Sequence, residues 1–114
     1  MYTPTPLALA FSRAEGYGVP GAIPTTHNNP GDLRHAPKEQ HAPGDPDGVG
    51  YFDNANDGWA ALDRQLQLYA DRGMTIAQAV ETFAPSTENN TDEYIEYVCT
   101  RMGCTEDTLV SQVI

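Results

Sequence analysis

Apolar residues recur at helical spacing along residues 57–72, where one face is hydrophobic and the others carry charged or amide side chains. The residues of the hydrophobic face are Trp59, Leu62, Leu66 and Tyr69. Gly73 follows at the position where a helix commonly turns into the left-handed conformation. The pattern therefore predicts one long helix over this range, with Met74 folded back onto Tyr69.

A shorter helix is predicted near the N-terminus. Thr5 can cap it through its hydroxyl, and Pro6 suits the first helical position, where the missing N–H has no partner to lose. Its predicted buried face comprises Leu7, Phe11 and Ala14. Gly16 ends this helix, so Glu15 is predicted to be nearly its last residue.

Three further helices are predicted after the long one. The first is capped by Thr75 and stopped by Pro85, the second is capped by Thr91 or Asn90, and the last spans residues 105–112. Their expected inward-facing residues are, in that order, Ile76, Ala79, Val80 and Phe83; Tyr94, Ile95, Val98 and Met102; Leu109, Val110 and Val113.

Turn-forming residues dominate the first half of the chain, since eight of the nine prolines and seven of the ten glycines precede residue 54. Residues 16–30 are predicted as loop and residues 36–47 as an exposed excursion, while 31–35 and 48–53 are expected to pair as a small hairpin. The predicted fold is mainly α (α+β), with about five helices and a small β-hairpin after the first helix, in a single domain.

Composition narrows the range of partners. The 114 residues include 6 basic and 16 acidic side chains, for a formal charge of −10 and a pI near 4.3. Such a charge argues against nucleic-acid phosphates or an anionic membrane surface as the main partner. There is no apolar run of about 20 residues that would span a bilayer. The N-terminal residues also lack the basic region that is typical of a signal peptide. We expect a monomer, and its localisation stays open.

Several reaction classes lack their sequence signatures. The serines lie outside nucleophile-elbow contexts, and the chain has no Walker loop or dinucleotide fingerprint. Residues 53–58 look like the start of a calcium loop, but Ala55 and Arg64 stand where its third and twelfth positions require oxygen ligands. Turn formation and helix capping explain this segment better, so we expect no metal ion and no cofactor.

The histidines lack the tight spacing of metal ligands. His35 and His41, together with Asp45 or Asp47, are close enough in sequence to collect a metal ion in a loop. Solvated loop residues are the favoured interpretation.

Cys99 and Cys104 flank the predicted end of a helix at Gly103. If Gly103 adopts the left-handed conformation, the two cysteines occupy positions that touch in a Schellman turn. A disulfide with a very short loop and a pair of packed free thiols both fit this pattern. The redox state therefore stays open.

Glu15 is the most suggestive single residue for catalysis. The negative end of the helix dipole disfavours a carboxylate at a helix C-terminus, and partial burial beside aromatic residues acts in the same direction. Both effects are expected to raise the pKa of this carboxyl, and a carboxylic acid that keeps its proton near neutral pH can act as the general acid in glycosidic cleavage. A solvated glutamate at a fraying helix end is the alternative.

Four motifs resemble those of small phage and bacterial lysozyme-like proteins, including lytic transglycosylases. They are Ala14-Glu15-Gly16-Tyr17-Gly18; His27-Asn28-Asn29-Pro30-Gly31-Asp32-Leu33; Asp57-Gly58-Trp59-Ala60-Ala61-Leu62; and Phe83-Ala84-Pro85 with Glu88-Asn89-Asn90-Thr91 and Tyr94. The resemblance covers roughly residues 7–112. It implies a lysozyme-like α+β fold and cleavage of the β-1,4 glycan bonds of peptidoglycan, so that glycan strands or chito-oligosaccharides are the expected partners.

Carried over to this chain, the resemblance makes Glu15 the catalytic acid and places Asn28 and Asn29 in a loop that faces the cleft. Asparagine amides offer both donors and acceptors to sugar hydroxyls and N-acetyl groups. Shaping the turn at Pro30-Gly31 is an equally good role for these two residues.

Three tyrosines are candidates to pack against sugar rings, namely Tyr17, Tyr94 and Tyr97. On a helix, the last two share a face only loosely, so at least one of them is expected in the core.

Asp32 departs from the related sequences, which commonly have Asn at this position. It is a candidate second carboxylate, as nucleophile or base, although an exposed turn residue is the favoured interpretation. Some phage lysozymes carry an Asp about nine residues after their Glu, and Pro24 stands there in this chain. The shortage of second carboxylates favours a lytic transglycosylase, in which one Glu serves first as acid and then as base.

The strong negative charge is an objection to wall cleavage, because cell walls are themselves anionic. A non-catalytic module therefore stays open as an alternative: a glycan binder, or a structural component of a phage or secretion apparatus. A weaker alternative is an interaction domain built on the acidic helices.

Overall fold

The computed structural model describes residues 2–44, 48–86 and 89–114. These residues form six helices, and they group into two compact units, residues 1–64 and 65–114. In chain order the helices are α1 (Pro6–Ala14), α2 (Ile23–Thr26), α3 (Ala55–Asp71), α4 (Ile76–Phe83), α5 (Thr91–Met102) and α6 (Val110–Val113). The prediction of a mainly α chain is confirmed.

Helix α1 begins as predicted. The Thr5 hydroxyl accepts a hydrogen bond from the Ala8 N–H at 3.1 Å, and Pro6 occupies the first helical position. Asp63 of α3 fixes this cap, because its carboxylate accepts a 2.6 Å hydrogen bond from the Thr5 hydroxyl and a 2.7 Å hydrogen bond from the Tyr2 hydroxyl. The N-terminal segment is thereby attached to α3 within the first unit.

The long helix α3 begins two residues before the predicted start. The Asn54 side chain accepts a hydrogen bond from the Asp57 N–H at 2.9 Å, so this segment caps a helix as expected. At the other end Gly73 has a φ of +71°, and the Met74 N–H donates to the Tyr69 carbonyl at 3.1 Å. The predicted left-handed ending is confirmed.

The predicted hairpin between residues 31–35 and 48–53 is wrong: the described residues contain no sheet, and only an isolated antiparallel bridge joins Gln40 to Tyr51. The Asn29 side chain donates hydrogen bonds to the carbonyls of Leu33 and Gly50, at 2.9 and 2.8 Å. The two segments are therefore linked by this amide together with a main-chain hydrogen bond, in which the Gly50 N–H donates to the Leu33 carbonyl at 3.0 Å, rather than by a strand ladder.

A four-residue helix, α2, interrupts the segment that was predicted to be loop. Pro24 lies in its first turn, and the Thr26 N–H donates to the Ala22 carbonyl at 2.9 Å. The helix has no side-chain cap, so the sequence carries little signal for it.

In the second unit, α4 and α5 pack on each other, and their N-termini are capped as predicted. Thr75 and Gln78 form a capping box at α4, and Asn90 caps α5 by accepting from the Glu93 N–H at 3.2 Å. The predicted caps are therefore confirmed, with Asn90 rather than Thr91 in the capping role.

The last predicted helix is too long. Only Val110–Val113 is helical, and Leu109, expected in the core, is 38% exposed. The Ile76 N–H donates to the Thr108 carbonyl at 2.8 Å, and the Val110 N–H donates to the Met74 carbonyl at 2.9 Å. These bonds, together with the antiparallel bridge between Thr75 and Leu109, hold the residues directly before α6 beside the start of α4.

None of the helices in the described ranges combines the length and the apolar character needed to cross a bilayer.

Candidate functional site

Glu15 caps the C-terminus of α1 and is partly exposed. Its main-chain N–H donates to carbonyl groups of the last helical turn, and the chain then reverses through Gly16, which has a φ of +93°. The Tyr17 N–H donates a hydrogen bond to the Ser12 carbonyl at 2.9 Å. The position predicted for Glu15, at the end of the first helix and next to a glycine reversal, is confirmed.

Tyr17 contacts Trp59 of α3. Their ring centroids are 5.1 Å apart and the rings meet edge to face at 70°, a favourable geometry for an aromatic pair. The residue that follows, Gly18, donates its N–H to the Thr25 hydroxyl at 2.9 Å. The reversal after Glu15 is thus attached to the start of α3 and to α2.

Asn29 is completely buried, and its side chain forms hydrogen bonds with main-chain groups of the loop that contains it. Besides donating to the carbonyls of Leu33 and Gly50, its amide oxygen accepts a 2.9 Å hydrogen bond from the Leu33 N–H. Of the two roles predicted for Asn29, the structure therefore displays the loop-shaping one.

Asn28 stands in the left-handed region with a φ of +50° and donates its amide to the Phe52 carbonyl at 3.3 Å. Its own carbonyl oxygen lies directly against Gly58, at a distance that leaves no room for a Cβ atom. The asparagine loop therefore packs on the same turn of α3 that carries Trp59.

Asp32 also has a left-handed backbone, with a φ of +53°, and its N–H donates to the Asn29 carbonyl at 3.0 Å. Burial raises the pKa of its carboxyl above the ordinary value, and the charges of Arg34 and His27 offset part of that rise. Asp32 is thus both a turn residue and a partly buried acid with two basic neighbours.

Sequence reasoning did not identify Arg34 and His27, the two basic neighbours of Asp32, as site residues. His27 lies edge to face with Tyr51, with ring centroids 6.4 Å apart, and its carbonyl accepts a 3.0 Å hydrogen bond from the Phe52 N–H. Their closeness in sequence to Asp32 was the available signal, but only the loop geometry shows that their charges act on its carboxyl.

The buried pair Glu39 and His41 was also missed. Only 1% of the Glu39 side chain is exposed, and its Oε2 lies 2.6 Å from His41 Nε2 without forming a linear hydrogen bond. The His35 ring lies beside that of His41, with centroids 6.1 Å apart. Burial of a glutamate in a polar loop leaves little trace in the sequence.

Tyr94 and Tyr97 belong to the second unit and differ in environment. Tyr94 is 7% exposed and packs edge to face against Phe83, which joins α5 to α4. Tyr97 is 38% exposed. One of the two is therefore in the core, as the helical spacing predicted.

Across residues 2–44, 48–86 and 89–114, no three His, Cys, Asp or Glu side chains come together as a metal site. Asp45 and Asp47, which were considered as ligands, lie outside the described residues, as does Glu88 of the fourth motif.

Comparisons of this chain with protein-family models, with curated proteins and with solved structures find no match.

Proposed function

We propose that this protein cleaves the β-1,4 bonds between N-acetylmuramic acid and N-acetylglucosamine in peptidoglycan strands, with Glu15 as general acid and then general base. The observation that carries the proposal is the position of Glu15, at the end of α1 and two residues before an aromatic pair made by Tyr17 and Trp59. Glycosidic cleavage requires a carboxyl group that can donate a proton to the leaving oxygen.

The aromatic pair beside the end of α1 supports a sugar ligand. Aromatic rings pack against the apolar faces of pyranose rings, and carbohydrate sites add a small number of positioned polar groups. Asn28 and Asp32 are the polar candidates on the loop whose Asn28 carbonyl packs against Gly58, next to Trp59, and both have left-handed backbones. Asn29 contributes by holding this loop in shape rather than by touching the ligand.

The shortage of candidate second carboxylates in the sequence favours a lytic transglycosylase over a retaining hydrolase. A retaining hydrolase needs a second carboxylate as nucleophile, and Asp32 is the candidate that the sequence offers. In a transglycosylase Glu15 protonates the leaving oxygen and then takes a proton from a hydroxyl of the same sugar, which closes an anhydro ring. In this mechanism Asp32 orients the sugar or the loop and forms no covalent bond to the sugar.

Digestion of purified peptidoglycan, followed by mass spectrometry of the released muropeptides, tests both parts of the proposal. We expect products with anhydro ends, lighter by one water than hydrolysed products. Glu15→Gln is expected to reduce release at least about a hundredfold. Glu81→Gln is the matched control, because Glu81 is an exposed glutamate on α4 and its loss removes the same charge.

The possible results separate the alternatives. Products with ordinary reducing ends would indicate that the protein is a hydrolase and not a transglycosylase. Absence of turnover from pH 4 to 8, at both low and moderate salt, would overturn the proposal of cleavage. Binding of chito-oligosaccharides that is unchanged by Glu15→Gln would then identify a non-catalytic glycan-binding module.

A further inference from the structure

Two free thiols meet at the end of α5. Cys99 lies in the last turn of this helix, and Gly103, with a φ of +66°, reverses the chain so that the Cys104 N–H donates to the Cys99 carbonyl at 3.1 Å. The neighbouring Cys104 thiol is one of the groups that raise the pKa of the Cys99 thiol. Both cysteines are partly exposed, so reagents in solution can reach them.

The environment of this pair is anionic. Cys99 lines a shallow groove of about 330 Å³ in the second unit. The other residues that line it are Asp92, Ile95, Glu96 and Glu106, three of which are acidic. Their carboxylates create a negative potential beside the thiols, and this potential attracts cations and repels anions.

We propose that Cys99 and Cys104 form a thiol–disulfide exchange site that reacts with small cationic disulfides and closes to an intramolecular disulfide. The pairing rests on the left-handed reversal at Gly103 and the main-chain hydrogen bond from Cys104 to Cys99, and the preference for cations rests on the acidic groove. This site belongs to the second unit and does not depend on the proposed glycan cleavage.

The chemistry is a two-step exchange. One cysteine loses its proton and its sulfur attacks the small disulfide, whose S–S bond breaks as one half leaves and is protonated to a free thiol. The second cysteine then loses its proton and attacks the mixed disulfide, which releases the other half as a thiol. The two protein thiols are oxidised by two electrons in total, and the small disulfide is reduced to two thiols.

The surroundings of Cys99 affect its reactivity. Burial, with the neighbouring Cys104 and Glu106, raises the pKa of the Cys99 thiol, which lowers its fraction of reactive thiolate. Either cysteine can make the first attack, and the left-handed turn at Gly103 places the other cysteine close by for closure.

The test compares three small disulfides that differ in charge: cystamine (cationic), hydroxyethyl disulfide (neutral) and dithiodipropionate (anionic). Each is incubated with the whole reduced chain, and the products are followed by mass spectrometry of the intact protein. We expect closure, seen as the loss of two hydrogen atoms, to be at least about tenfold faster with cystamine than with dithiodipropionate at low salt. The difference should shrink at high salt, where charges are screened.

Variants identify the roles of the residues. Cys99→Ser and Cys104→Ser are each expected to stop at a mixed disulfide on the remaining cysteine. Glu106→Gln should narrow the difference between cationic and anionic reagents without preventing closure.

Two results would overturn the proposal, and both are read from the wild-type chain, so they do not depend on the folding of a variant. Equal rates with all three reagents would show that the acidic groove does not select reagents by charge. Dimers joined by intermolecular disulfides, in place of closure within one chain, would show that Cys99 and Cys104 do not pair with each other.

Discussion

Gly58 of α3 packs directly against the main-chain carbonyl of Asn28, and a Cβ atom at Gly58 would also come within 2.9 Å of Pro30 Cδ. This contact joins the Asn-Asn-Pro-Gly and Asp-Gly-Trp motifs, which are separated by about two dozen residues in the sequence. The occurrence of both motifs in one chain is therefore explained by packing: the glycine allows the asparagine loop to lie on the helix turn that carries Trp59.

Gly58→Ala is expected to destabilise the protein by about 2 kcal/mol, because the added methyl group overpacks a contact with rigid backbone. Helix propensity alone would favour the substitution by about 1 kcal/mol. Ala60→Gly at an exposed position of the same helix is the control, and it should cost only that propensity. Urea unfolding of both variants measures the difference, and a Gly58→Ala variant as stable as wild type would contradict the close approach.

Asn29→Ala is expected to cost about 2 to 3 kcal/mol, because it removes a fully buried amide that makes three hydrogen bonds to the backbone. Asn29→Asp should also destabilise strongly, since a carboxylate would face two carbonyl oxygens. Asn89→Ala is the control, because Asn89 is exposed and makes one long hydrogen bond of 3.4 Å. If Asn29→Ala impaired glycan binding with little loss of stability, the residue would act on the ligand instead.

The sequence predicted best those features that depend on a few neighbouring residues. The caps formed by Thr5 and Thr75 and the left-handed end at Gly73 each follow from residue types within one or two turns. The position of Glu15 at the end of α1 is a consequence of the same local rules, since Gly16 provides the reversal.

Features that depend on distant partners could not be predicted in this way. The segments predicted to pair as a hairpin, 31–35 and 48–53, are instead joined through the Asn29 amide, which lies 21 residues before Gly50 and bonds to its carbonyl. Similarly, Leu109, directly before α6, pairs with Thr75 at the start of α4 rather than continuing a helix. In both cases long-range hydrogen bonds override the local pattern.

Tyr2 provides a test through its pH dependence. Burial raises the pKa of the Tyr2 hydroxyl to about 12, and its hydrogen bond to the Asp63 carboxylate and the negative charge of Asp63 act in the same direction. Because the folded state holds the proton more tightly, this contribution to stability is complete below about pH 10 and is lost as the pH rises through about 12. Absorbance titration of the tyrosinate should show this late transition.

Asp63→Asn is expected to move the Tyr2 transition to lower pH, because the substitution removes the negative charge beside the hydroxyl. Gln67→Glu and Asp71→Asn change charge at exposed positions of α3, where the two side chains hydrogen-bond to each other, and serve as controls. A Tyr2 transition that is unaffected by Asp63→Asn would show that the hydrogen bond does not persist in solution.

Asp32→Asn is expected to stabilise the protein near neutral pH. Burial raises the pKa of Asp32, so the folded state favours the protonated carboxyl, and the stability that this provides is present below about pH 3.8 and is lost as the pH rises through the folded-state pKa. Asparagine also tolerates the left-handed backbone at this position. Thermal unfolding should therefore show a higher Tm for the variant at pH 7 and a smaller difference at pH 3; a constant difference would contradict the titration.

The buried pair of Glu39 and His41 predicts strong coupling between two loop residues. Glu39 has 1% of its side chain exposed, accepts a 3.3 Å hydrogen bond from the Ala36 N–H, and fits against Gly50, where a Cβ atom would clash with it. Removing His41 leaves the Glu39 carboxylate, which has almost no exposed surface, without this neighbour, and a loss of about 1 to 2 kcal/mol is expected for His41→Ala. Glu39→Gln should cost less, since a neutral amide can still accept the Ala36 hydrogen bond.

The double variant Glu39→Gln, His41→Ala discriminates coupling from simple loss of packing. If the two residues interact as the structure indicates, the double variant should be more stable than the sum of the single losses predicts, by about 1 to 2 kcal/mol. Lys38→Ala is the control from the same loop, because its ammonium group is largely exposed and reaches Asp57 only at 3.6 Å. Additive losses would mean that the carboxylate and the imidazole do not stabilise each other, and that the loop owes its shape to Asn29 and the bridge between Gln40 and Tyr51 alone.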